Sequence, residues 1–527
     1  MINVNQMTID GLLRRAAEVY GSKTSIIDGD VELTFAELDV EVDAFASALS
    51  ELGVTKGDRV AALFYNQWQF QLTYFAALRL GALIVPVNNR LVPDEIAYQL
   101  NDAGVKVVVY AAEFAELVTE VVQMTSVQHW IGAATTLEAT VSTTPLEPLL
   151  DRHRGSRPTV QEAVQHLDPS GIWYTSGTTG RPKGALVTHA STIWAAISLA
   201  LTARMTHDSH VLAVAPMFHR GPMETTHVAS LVLGCTQAML TTFSPDGLLK
   251  AIERHRVTHA FIVPAMSYAV LSLPDRGSYD LTSMRCWLTA SAHFPEEYRA
   301  RLESETTLPA GTIFNAYGIT ESLLVGVLVP EEAVHHPGSV GRPAIGARVR
   351  ILDGARKEVA AGNVGEIAVA TPAIARTYAG RHDAWEAVTF LEDGAEWYLS
   401  GDLGYLDSDG FLYIVDRSKD MVITGGENVY SAEVEKVLVS LEGVGEVAVI
   451  GTPDERWGEA VTAVVVPRPD ADLSVDAVVE HCVGKLAAYK RPRRVIFVDA
   501  LPRNSFGKVR KDVLREQHSK RDAVVVS

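Results

Sequence analysis

Cysteine is scarce in this sequence. Only three occur among 527 residues, and Cys235, Cys286 and Cys482 lie far apart, with no pair at CxxC spacing. These features argue against a disulfide framework and against a cysteine-based metal site. A reducing, cytoplasmic setting is therefore expected.

Long apolar runs and excess positive charge are also missing. No window approaches about 18 consecutive apolar residues, so we expect no transmembrane helix. The N-terminal residues MINVNQMTIDGLLRR do not resemble a secretory signal, and the C-terminal VVVS is not a peroxisomal address. The net charge of −18 disfavours nucleic acid as a partner, because the surface as a whole would repel it.

What remains is an ordinary globular composition. Apolar residues make up 47% and charged residues 21% of the chain. A chain of 527 residues is long enough for two or more domains with a large core.

Helix and strand patterns alternate over the first half of the chain. Thr34, with Glu37 three residues later, forms a capping box that opens a helix ending at Gly53. Ser244 followed by Pro245 predicts a second helix start. Short apolar runs that predict buried strands lie between the helices, at residues 59–64, 82–87, 105–110, 210–215, 258–263 and 285–290. This alternation is typical of mostly parallel α/β sheets.

The pattern changes in three other places. Residues 134–160 are rich in Thr, Pro and charge with weak periodicity, which predicts a loop or crossover. Residues 338–416 contain short strands separated by Gly and Asp, which predicts a small antiparallel sheet. Beyond Asp416 a compact α+β segment of about 110 residues has the size of a separate domain.

Residues 174–184, YTSGTTGRPKG, have the composition of an anion-binding loop. The candidate ligands are hydroxyls, glycines and one ammonium group: Thr175, Ser176, Gly177, Thr178, Thr179, Gly180 and Lys183. Glycines let successive backbone N–H groups converge on one anion, and a lysine suits phosphate. The segment is not a Walker A loop, because Lys183 is followed by Gly184. A polar surface loop is the alternative.

Residues 315–322, NAYGITES, place an aromatic ring, a hydroxyl and a carboxylate on a predicted turn after an apolar strand. Tyr317 can stack on a base, and Thr320 can donate to a phosphate. Glu321 can hold Mg²⁺, which prefers oxygen ligands. The alternative is a strand end that carries these residues for solvation.

Together these two segments resemble signatures of the adenylate-forming superfamily, which includes acyl-CoA synthetases, firefly luciferase and nonribosomal adenylation domains. Three further matches follow in the family's order: YLSGDLG at 398–404, DRSKD at 416–420 and PRNSFGK at 502–508. The resemblance implies an α/β fold with a large N-terminal domain of two α/β sheet subdomains plus a small antiparallel β subdomain, at residues 1–416. A small mobile α+β C-terminal domain follows, at residues 417–527.

The resemblance also assigns roles in an ATP site. The nucleotide would contact the phosphate loop, the small residues at 291–293, and the NAYGIT segment, that is Ser291, Ala292, His293, Asn315, Ala316, Tyr317, Gly318 and Thr320. Lys183, Thr179 and Glu321 would act on the phosphates, with Mg²⁺ on Glu321. His293 departs from the family pattern, in which the run usually ends in proline.

Further roles fall in the last third of the chain. Asp402 matches the ribose-binding aspartate, and a carboxylate can accept from two neighbouring hydroxyls. The other matches are the ribose- and phosphate-binding Arg417, the hinge residue Lys419, a loop bordering CoA with Gly425, Gly426 and Glu427, and the catalytic lysine Lys508. Without the family context, DRSKD is a charged linker and Lys508 a surface charge.

The acyl pocket is expected beside the segment PMFHRGPME at 216–224, together with Ala290 and Gly318. We assign His219, Arg220 and Met223 to substrate binding. Arg220 stands where relatives commonly carry an apolar residue, and with His219 and His293 it would give the pocket a polar end. The alternative is that Arg220 points to solvent or pairs with Glu224.

The resemblance implies an acyl-CoA synthetase that uses ATP, Mg²⁺ and CoA as a monomer or homodimer. A carboxylic acid and ATP would give acyl-AMP and pyrophosphate, and the CoA thiol would then displace AMP. Loading of a holo carrier protein is the first alternative. A luciferase-like oxygenase and a non-catalytic nucleotide-binding protein are the others.

Overall fold

The computed structural model describes residues 7–133, 143–160, 162–175, 181–292, 294–425, 427–454, 456–469, 471–503 and 508–518, and the backbone of residues 524–525. The chain forms two compact units. The first contains Met1–Val349, Val369–Tyr398 and Gly410–Leu412, and the second contains Arg350–Ala368, Leu399–Asp409 and Tyr413–Ser527.

Helices and strands alternate from the N-terminus onward. In chain order they are α1 (Ile9–Tyr20), β1 (Thr24–Asp28), β2 (Val31–Thr34), α2 (Phe35–Glu51), β3 (Arg59–Leu63), α3 (Trp68–Arg79), β4 (Leu83–Pro86), α4 (Pro93–Ala103), β5 (Val107–Ala111), α5 (Ala115–Val122), β6 (His129–Ala133), β7 (Thr144–Pro145), α6 (Leu146–His153), β8 (Pro169–Thr175), β9 (Lys183–Thr188), α7 (His189–Thr202), β10 (His210–Ala213), α8 (Val228–Leu233) and β11 (Thr236–Met239).

The same alternation continues to Pro343. It comprises α9 (Pro245–His255), β12 (His259–Phe261), α10 (Pro264–Leu271), β13 (Cys286–Thr289), α11 (Glu296–Glu305), β14 (Ile313–Ile319), β15 (Leu323–Leu328), α12 (Pro330–Ala333) and β16 (Arg342–Pro343).

The rest of the chain is richer in strands. It contains β17 (Arg348–Leu352), β18 (Gly365–Ala370), β19 (Thr377–Tyr378), α13 (His382–Glu386), β20 (Thr389–Glu392), β21 (Ala395–Leu406), β22 (Leu412–Arg417), β23 (Val422–Thr424), β24 (Glu427–Val429), α14 (Ser431–Val439), β25 (Val444–Asp454), β26 (Gly458–Pro467), α15 (Val475–His481), β27 (Arg494–Phe497), α16 (Lys511–His518) and β28 (Val524–Val525).

These strands form four sheets. An eight-stranded sheet has the order β19-β9-β8-β4-β3-β5-β6-β7, and a nine-stranded sheet has the order β16-β15-β14-β13-β12-β10-β11-β1-β2. A five-stranded sheet has the order β17-β18-β21-β20, with β22 beside β21. A six-stranded sheet has the order β24-β23-β26-β27-β28, with β25 beside β26. The predicted α/β fold, with two large sheets, a small β sheet and a C-terminal α+β part, is confirmed.

The predicted helix caps are also confirmed. Thr34 and Glu37 form a complete capping box at the start of α2. The Ser244 hydroxyl accepts a hydrogen bond from the Gly247 N–H at the start of α9. Satisfying these first-turn N–H groups fixes where each helix begins.

The predicted loop at 134–160 is wrong in its second half. Residues 146–153 form α6, because Leu146, Leu149 and Leu150 fall on one helical face and are buried. The proline and charged residues between and after these leucines made the helical periodicity difficult to recognise from the sequence. Residues 134–142 lie outside the described part of the chain.

All three cysteines, Cys235, Cys286 and Cys482, are unpaired and buried. Within the described residues, no helix is both long and apolar enough to cross a membrane.

Candidate active site

The strand pair β8–β9 brings together the two ends of the glycine- and threonine-rich segment. Tyr174 pairs with Gly184, and Thr175 with Lys183, in antiparallel register. The Thr175 hydroxyl donates to the Lys183 carbonyl at 3.4 Å. This pairing places two of the predicted phosphate ligands side by side. The remaining ones, Ser176, Gly177, Thr178, Thr179 and Gly180, lie outside the described residues.

A cluster around Asp102, near the end of α4, anchors both ends of that segment. Its carboxylate accepts from the Tyr174 hydroxyl at 2.8 Å and from the Arg381 guanidinium at 2.9 Å. The Tyr98 hydroxyl donates to the Pro182 carbonyl at 3.0 Å. Burial, together with Asp102, raises the pKa of Tyr174, so the phenol remains a hydrogen-bond donor at neutral pH.

Glu321 is buried and held on several sides. Its side-chain Oε1 accepts a 2.6 Å hydrogen bond from the Tyr378 hydroxyl. Its backbone carbonyl accepts from the Ala375 N–H at 2.6 Å. The Arg220 guanidinium donates to the preceding carbonyl, that of Thr320, also at 2.6 Å. The position of this carboxylate is therefore set by two segments of the chain, one at residues 375–378 and the other at Arg220.

Tyr378 connects Glu321 with Lys183. The Lys183 Nζ lies 5.0 Å from the centroid of the Tyr378 ring, within the range of a cation–π contact. The Tyr378 and Tyr398 hydroxyls lie 3.0 Å apart. Burial is the largest cause of the raised pKa of both phenols, so both stay protonated at neutral pH. A predicted cation and a predicted metal ligand thus share one neighbour.

The donor chemistry at Glu321 fits a magnesium ion bound together with a nucleotide. The described residues contain no group of three or more His, Cys, Asp or Glu side chains that could hold a metal alone. A hard ion bound to one carboxylate takes its other ligands from phosphate oxygens and water, which is the usual mode for Mg²⁺. Glu321 would supply the protein ligand.

The expected nucleotide face lies where β13 ends beside β14. Thr289 pairs with Asn315 in parallel register, and the Asn315 side-chain N–H donates to the Ser339 carbonyl at 3.2 Å. Ser291 has a φ of 77°, in the left-handed region, a conformation that clusters at functional sites. Ala290 is buried and Ala292 exposed, and His293 lies outside the described residues.

The NAYGITES segment is not a turn over its whole length, which corrects the prediction from the sequence. Residues 315–319 belong to β14, because they pair with β15 in antiparallel register. Only residues 320–322 form the turn. Ala316 is buried and Tyr317 half-buried. A Cβ at Gly318 would lie 2.0 Å from the Leu323 carbonyl oxygen, so this position requires glycine.

Arg220 pairs with Glu224, as the alternative interpretation predicted. The two side chains are 0% and 1% exposed, with Arg220 Nε 2.6 Å from Glu224 Oε2. Because its guanidinium is occupied by protein groups, these contacts give no support to Arg220 as a free cation in the acyl pocket.

Two other residues predicted to line the pocket, His219 and Met223, flank Arg220 in the sequence. Met223 is fully buried within a π-helical segment, Gly221–His227, and such segments are frequent at functional sites. His219 is half-buried. Burial and the charge of Arg90 lower the pKa of His219 to about 3, so its ring is neutral at pH 7.

In the second unit, three residues from separate motifs come together. Arg417 Nε lies 3.2 Å from Oδ1 of the buried Asp402, and both charges act on Lys508. The Lys508 residue is exposed, yet loss of hydration around its ammonium and the nearby Arg417 charge lower its pKa to about 8. Asp402 and Arg417, predicted to bind ribose and phosphate, thus lie near the predicted catalytic residue Lys508.

The predicted hinge and CoA-loop residues lie in the same unit. Burial is the largest cause of the lowered pKa of Lys419. Gly425 has a φ of 61°, donates its N–H to the Trp457 carbonyl at 2.8 Å, and would place a Cβ 2.8 Å from the Trp457 ring. Glu427 is exposed in β24, and Gly426 lies outside the described residues.

Sequence reasoning did not identify Tyr378, Asp102 or Arg381. Tyr378 lies in the two-residue strand β19, which pairs with β9, and so short a strand has no periodicity to detect. Asp102 and Arg381 are far apart in sequence and meet only in the fold.

Comparison with known proteins identifies the family of the chain. Residues 13–379 match the AMP-binding enzyme family, and residues 433–508 match the AMP-binding enzyme C-terminal domain. The chain is 35% identical over 520 residues to a long-chain-fatty-acid–CoA ligase of Mycobacterium tuberculosis, covering 97% of this chain and 98% of that protein. It is 36% identical over 506 residues to a feruloyl-CoA synthase of an Amycolatopsis species, covering 95% and 97%.

A solved structure is similar to this chain over nearly its whole length. It is o-succinylbenzoate coenzyme A synthetase from Bacillus subtilis in complex with ATP and magnesium ion. The TM-score is 0.83 at 30% identity, and the match covers 97% of this chain and 99% of that one.

Proposed function

Because the chain belongs to the AMP-binding enzyme family, we propose that it is an ATP-dependent acyl-CoA synthetase. A carboxylate oxygen attacks the α-phosphorus of ATP, the bond to the β-phosphate breaks, and pyrophosphate leaves. The CoA thiolate then attacks the acyl carbonyl and AMP departs, while the thiol proton passes to solvent. The relatives named above, which are CoA ligases and synthetases, favour CoA over a carrier protein as the acceptor.

One observation carries the proposal most directly. Lys183 and Glu321 come from separate motifs, and both contact Tyr378. An ammonium for the phosphates therefore lies over the Tyr378 ring, and a carboxylate for a divalent cation accepts a hydrogen bond from its hydroxyl. This arrangement suits a triphosphate and its metal ion, and the proposed reaction needs no side-chain nucleophile.

The residues act by position and charge. Two anions must meet in line, so the enzyme gains rate by holding them and by neutralising the charge that develops. We assign this neutralisation to Lys183, Thr178, Thr179, Thr320 and Lys508. Mg²⁺, when bound at Glu321, supplies further charge neutralisation on the phosphate oxygens.

Nucleotide recognition is assigned to other residues of the same motifs. Tyr317 would face the base, while Asp402 and Arg417 would hold the ribose. The 3.2 Å contact between Asp402 and Arg417 supports their joint role.

We further propose two domains, at residues 1–416 and 417–527, with a hinge at Lys419. Support comes from the two family matches. The first ends at residue 379 and the second begins at residue 433, so the proposed boundary lies between them. Their separation is consistent with a C-terminal domain that presents Lys508 in one half-reaction and the 425–430 loop in the other.

We also propose a cytoplasmic location. It is supported by the three cysteines, each of which is free and buried. We propose that the protein is a monomer or a homodimer.

The test is pyrophosphate release with a panel of carboxylic acids that includes short, medium-chain, aromatic and dicarboxylic members. We expect ATP- and Mg²⁺-dependent release with at least one class, and acyl-CoA on addition of CoA. If pyrophosphate is released but a thioester forms only with a holo carrier protein and not with CoA, the CoA assignment is contradicted. A Glu321→Gln variant serves as the matched control, because it is isosteric and lacks the charge.

A further inference from the structure

Arg220 and Glu224 form an ion pair inside the first unit. Their side chains are 0% and 1% exposed, and the Nε–Oε2 distance is 2.6 Å. Burying two charges is costly, and a buried pair often adds little stability compared with apolar residues of the same size. The main effect of this pair is therefore expected to be on local geometry and not on stability.

Arg220 has further partners besides Glu224. Its Nη1 donates to the Thr320 carbonyl at 2.6 Å. Its Nη2 donates to the Ser191 hydroxyl at 3.3 Å and to the Ala373 carbonyl at 3.4 Å. A guanidinium is the one side chain with donors in a rigid fork that can hold several acceptors at once.

Glu224 links the pair to β8. Its Oε1 accepts from the Trp173 indole N–H at 3.1 Å and lies 3.5 Å from the Tyr74 hydroxyl. Trp173 precedes Tyr174 and Thr175, which begin the phosphate segment. The ion pair thus connects the strand that carries this segment with the Thr320 carbonyl.

The Thr320 carbonyl belongs to the peptide group that leads into Glu321. Arg220 holds this carbonyl, and the Ala375 N–H holds the carbonyl of Glu321 itself. With both peptide groups fixed, the direction in which the Glu321 side chain leaves the backbone is also fixed.

We infer that Arg220, oriented by Glu224, is a positioning residue that places the Thr320–Glu321 turn relative to β8. It therefore serves the metal-bound triphosphate and not recognition of the acyl chain. This inference rests on the proposed function, because Glu321 is assigned to the metal there.

The experiment separates stability from position. Arg220→Met alone leaves a buried unpaired carboxylate, so this variant is expected to lose much of its thermal stability. Arg220→Met combined with Glu224→Gln removes both charges, and its Tm should return toward the wild-type value. The Thr320 carbonyl still lacks its donor in this double variant, so the rate of pyrophosphate release should stay ~10²-fold low. Arg220→Lys, which keeps one donor and the charge, should recover part of that rate.

Two readouts identify the role. The loss of rate should be the same factor for aliphatic, aromatic and dicarboxylic acids. Isothermal titration calorimetry should show weaker ATP binding in the presence of Mg²⁺, and a smaller change when Mg²⁺ is absent.

Two outcomes would overturn the inference. One is recovery of the rate together with the Tm in the double variant, and the other is a changed preference among acids, which would place Arg220 in the acyl pocket. If the wild-type protein released no pyrophosphate with any acid, the proposed function would fail instead. The calorimetric comparison would still decide whether Arg220 supports the metal–nucleotide site.

Discussion

The Tyr378 hydroxyl donates a 2.6 Å hydrogen bond to Oε1 of Glu321. The same phenol lies under the Lys183 ammonium, 5.0 Å from ring centroid to Nζ. Tyr378, from a two-residue strand, therefore contacts both the residue predicted to bind the metal, Glu321, and the residue predicted to bind the phosphates, Lys183.

Tyr378→Phe should weaken the use of Mg²⁺ while the protein stays folded. The ring and its contact with Lys183 remain, but Glu321 loses a hydrogen bond of a kind that contributes about 1.5–3 kcal/mol when a charged group is involved. We expect pyrophosphate release to fall by ~10-fold or more, with a higher Mg²⁺ concentration at half-maximal rate. The measurement is a Mg²⁺ titration at saturating ATP.

Tyr378→Leu is the matched comparison, since it removes the ring as well as the hydroxyl. It should raise the KM for ATP further than Tyr378→Phe does. Identical behaviour of the two variants would show that the ring contact with Lys183 has no role.

Lys508→Ala should abolish acyl-adenylate formation and spare the second half-reaction. The ammonium acts on charge that develops at the α-phosphate, and loss of one such group costs ~10²–10³-fold. Thioester formation from a supplied acyl-adenylate should proceed near the wild-type rate. Single-turnover assays of each half-reaction provide the measurement, and equal loss of both would remove the role assigned to Lys508.

The pH dependence of adenylation should reflect Lys508. Its pKa is lowered to about 8, so the ammonium is charged below that pH and loses its proton as the pH rises through it. The kcat/KM for ATP, which reports the free enzyme, should therefore decline on the alkaline side with an apparent pKa near 8. An unperturbed lysine would hold its charge to about pH 10.

Lys508→Arg tests this assignment. Arginine keeps its proton throughout this range, so any residual activity of the variant should lose the alkaline decline. A decline that persists unchanged in Lys508→Arg would assign the titration to another group.

Some features of the molecule could be predicted from sequence because they are local. The capping box at Thr34 and the alternation of helix and strand depend on neighbouring residues, and the structure confirms both. Helix α6 was missed because its leucines lie among proline and charged residues. The contacts of Asp102 with Tyr174 and Arg381 could not be predicted, because they join segments far apart in the chain.

The same distinction applies to Arg220. The sequence showed an unusual charge beside an expected acyl pocket and left two interpretations open. Only the fold shows that Glu224 neutralises this charge one helical turn later, and that the Thr320 carbonyl lies within reach. The partner of a buried charge depends on tertiary structure. Sequence spacing alone therefore could not decide whether Arg220 lines the acyl pocket or pairs with Glu224.

The last prediction concerns Lys419. The Lys508 loop and the 425–430 loop would serve the two half-reactions in turn, which requires a rotation absorbed by a few backbone dihedrals. Around Lys419, the Asp420 and Met421 N–H groups donate to the Arg417 carbonyl at 2.9 and 3.1 Å, which forms a tight turn. Proline at 419 would fix φ near −65° and restrict Ser418 as well.

Lys419→Pro should therefore trap one state, and we expect the adenylating one. Pyrophosphate release in the first turnover should persist, while acyl-CoA production falls by ~10²-fold or more. Lys419→Ala is the control, because it removes the side chain and leaves φ free, so both half-reactions should continue. If both fall together in Lys419→Pro, the substitution has damaged the fold, and if neither falls, the hinge lies elsewhere. Single-turnover rates of the two half-reactions distinguish these outcomes, since only a blocked rotation separates one rate from the other.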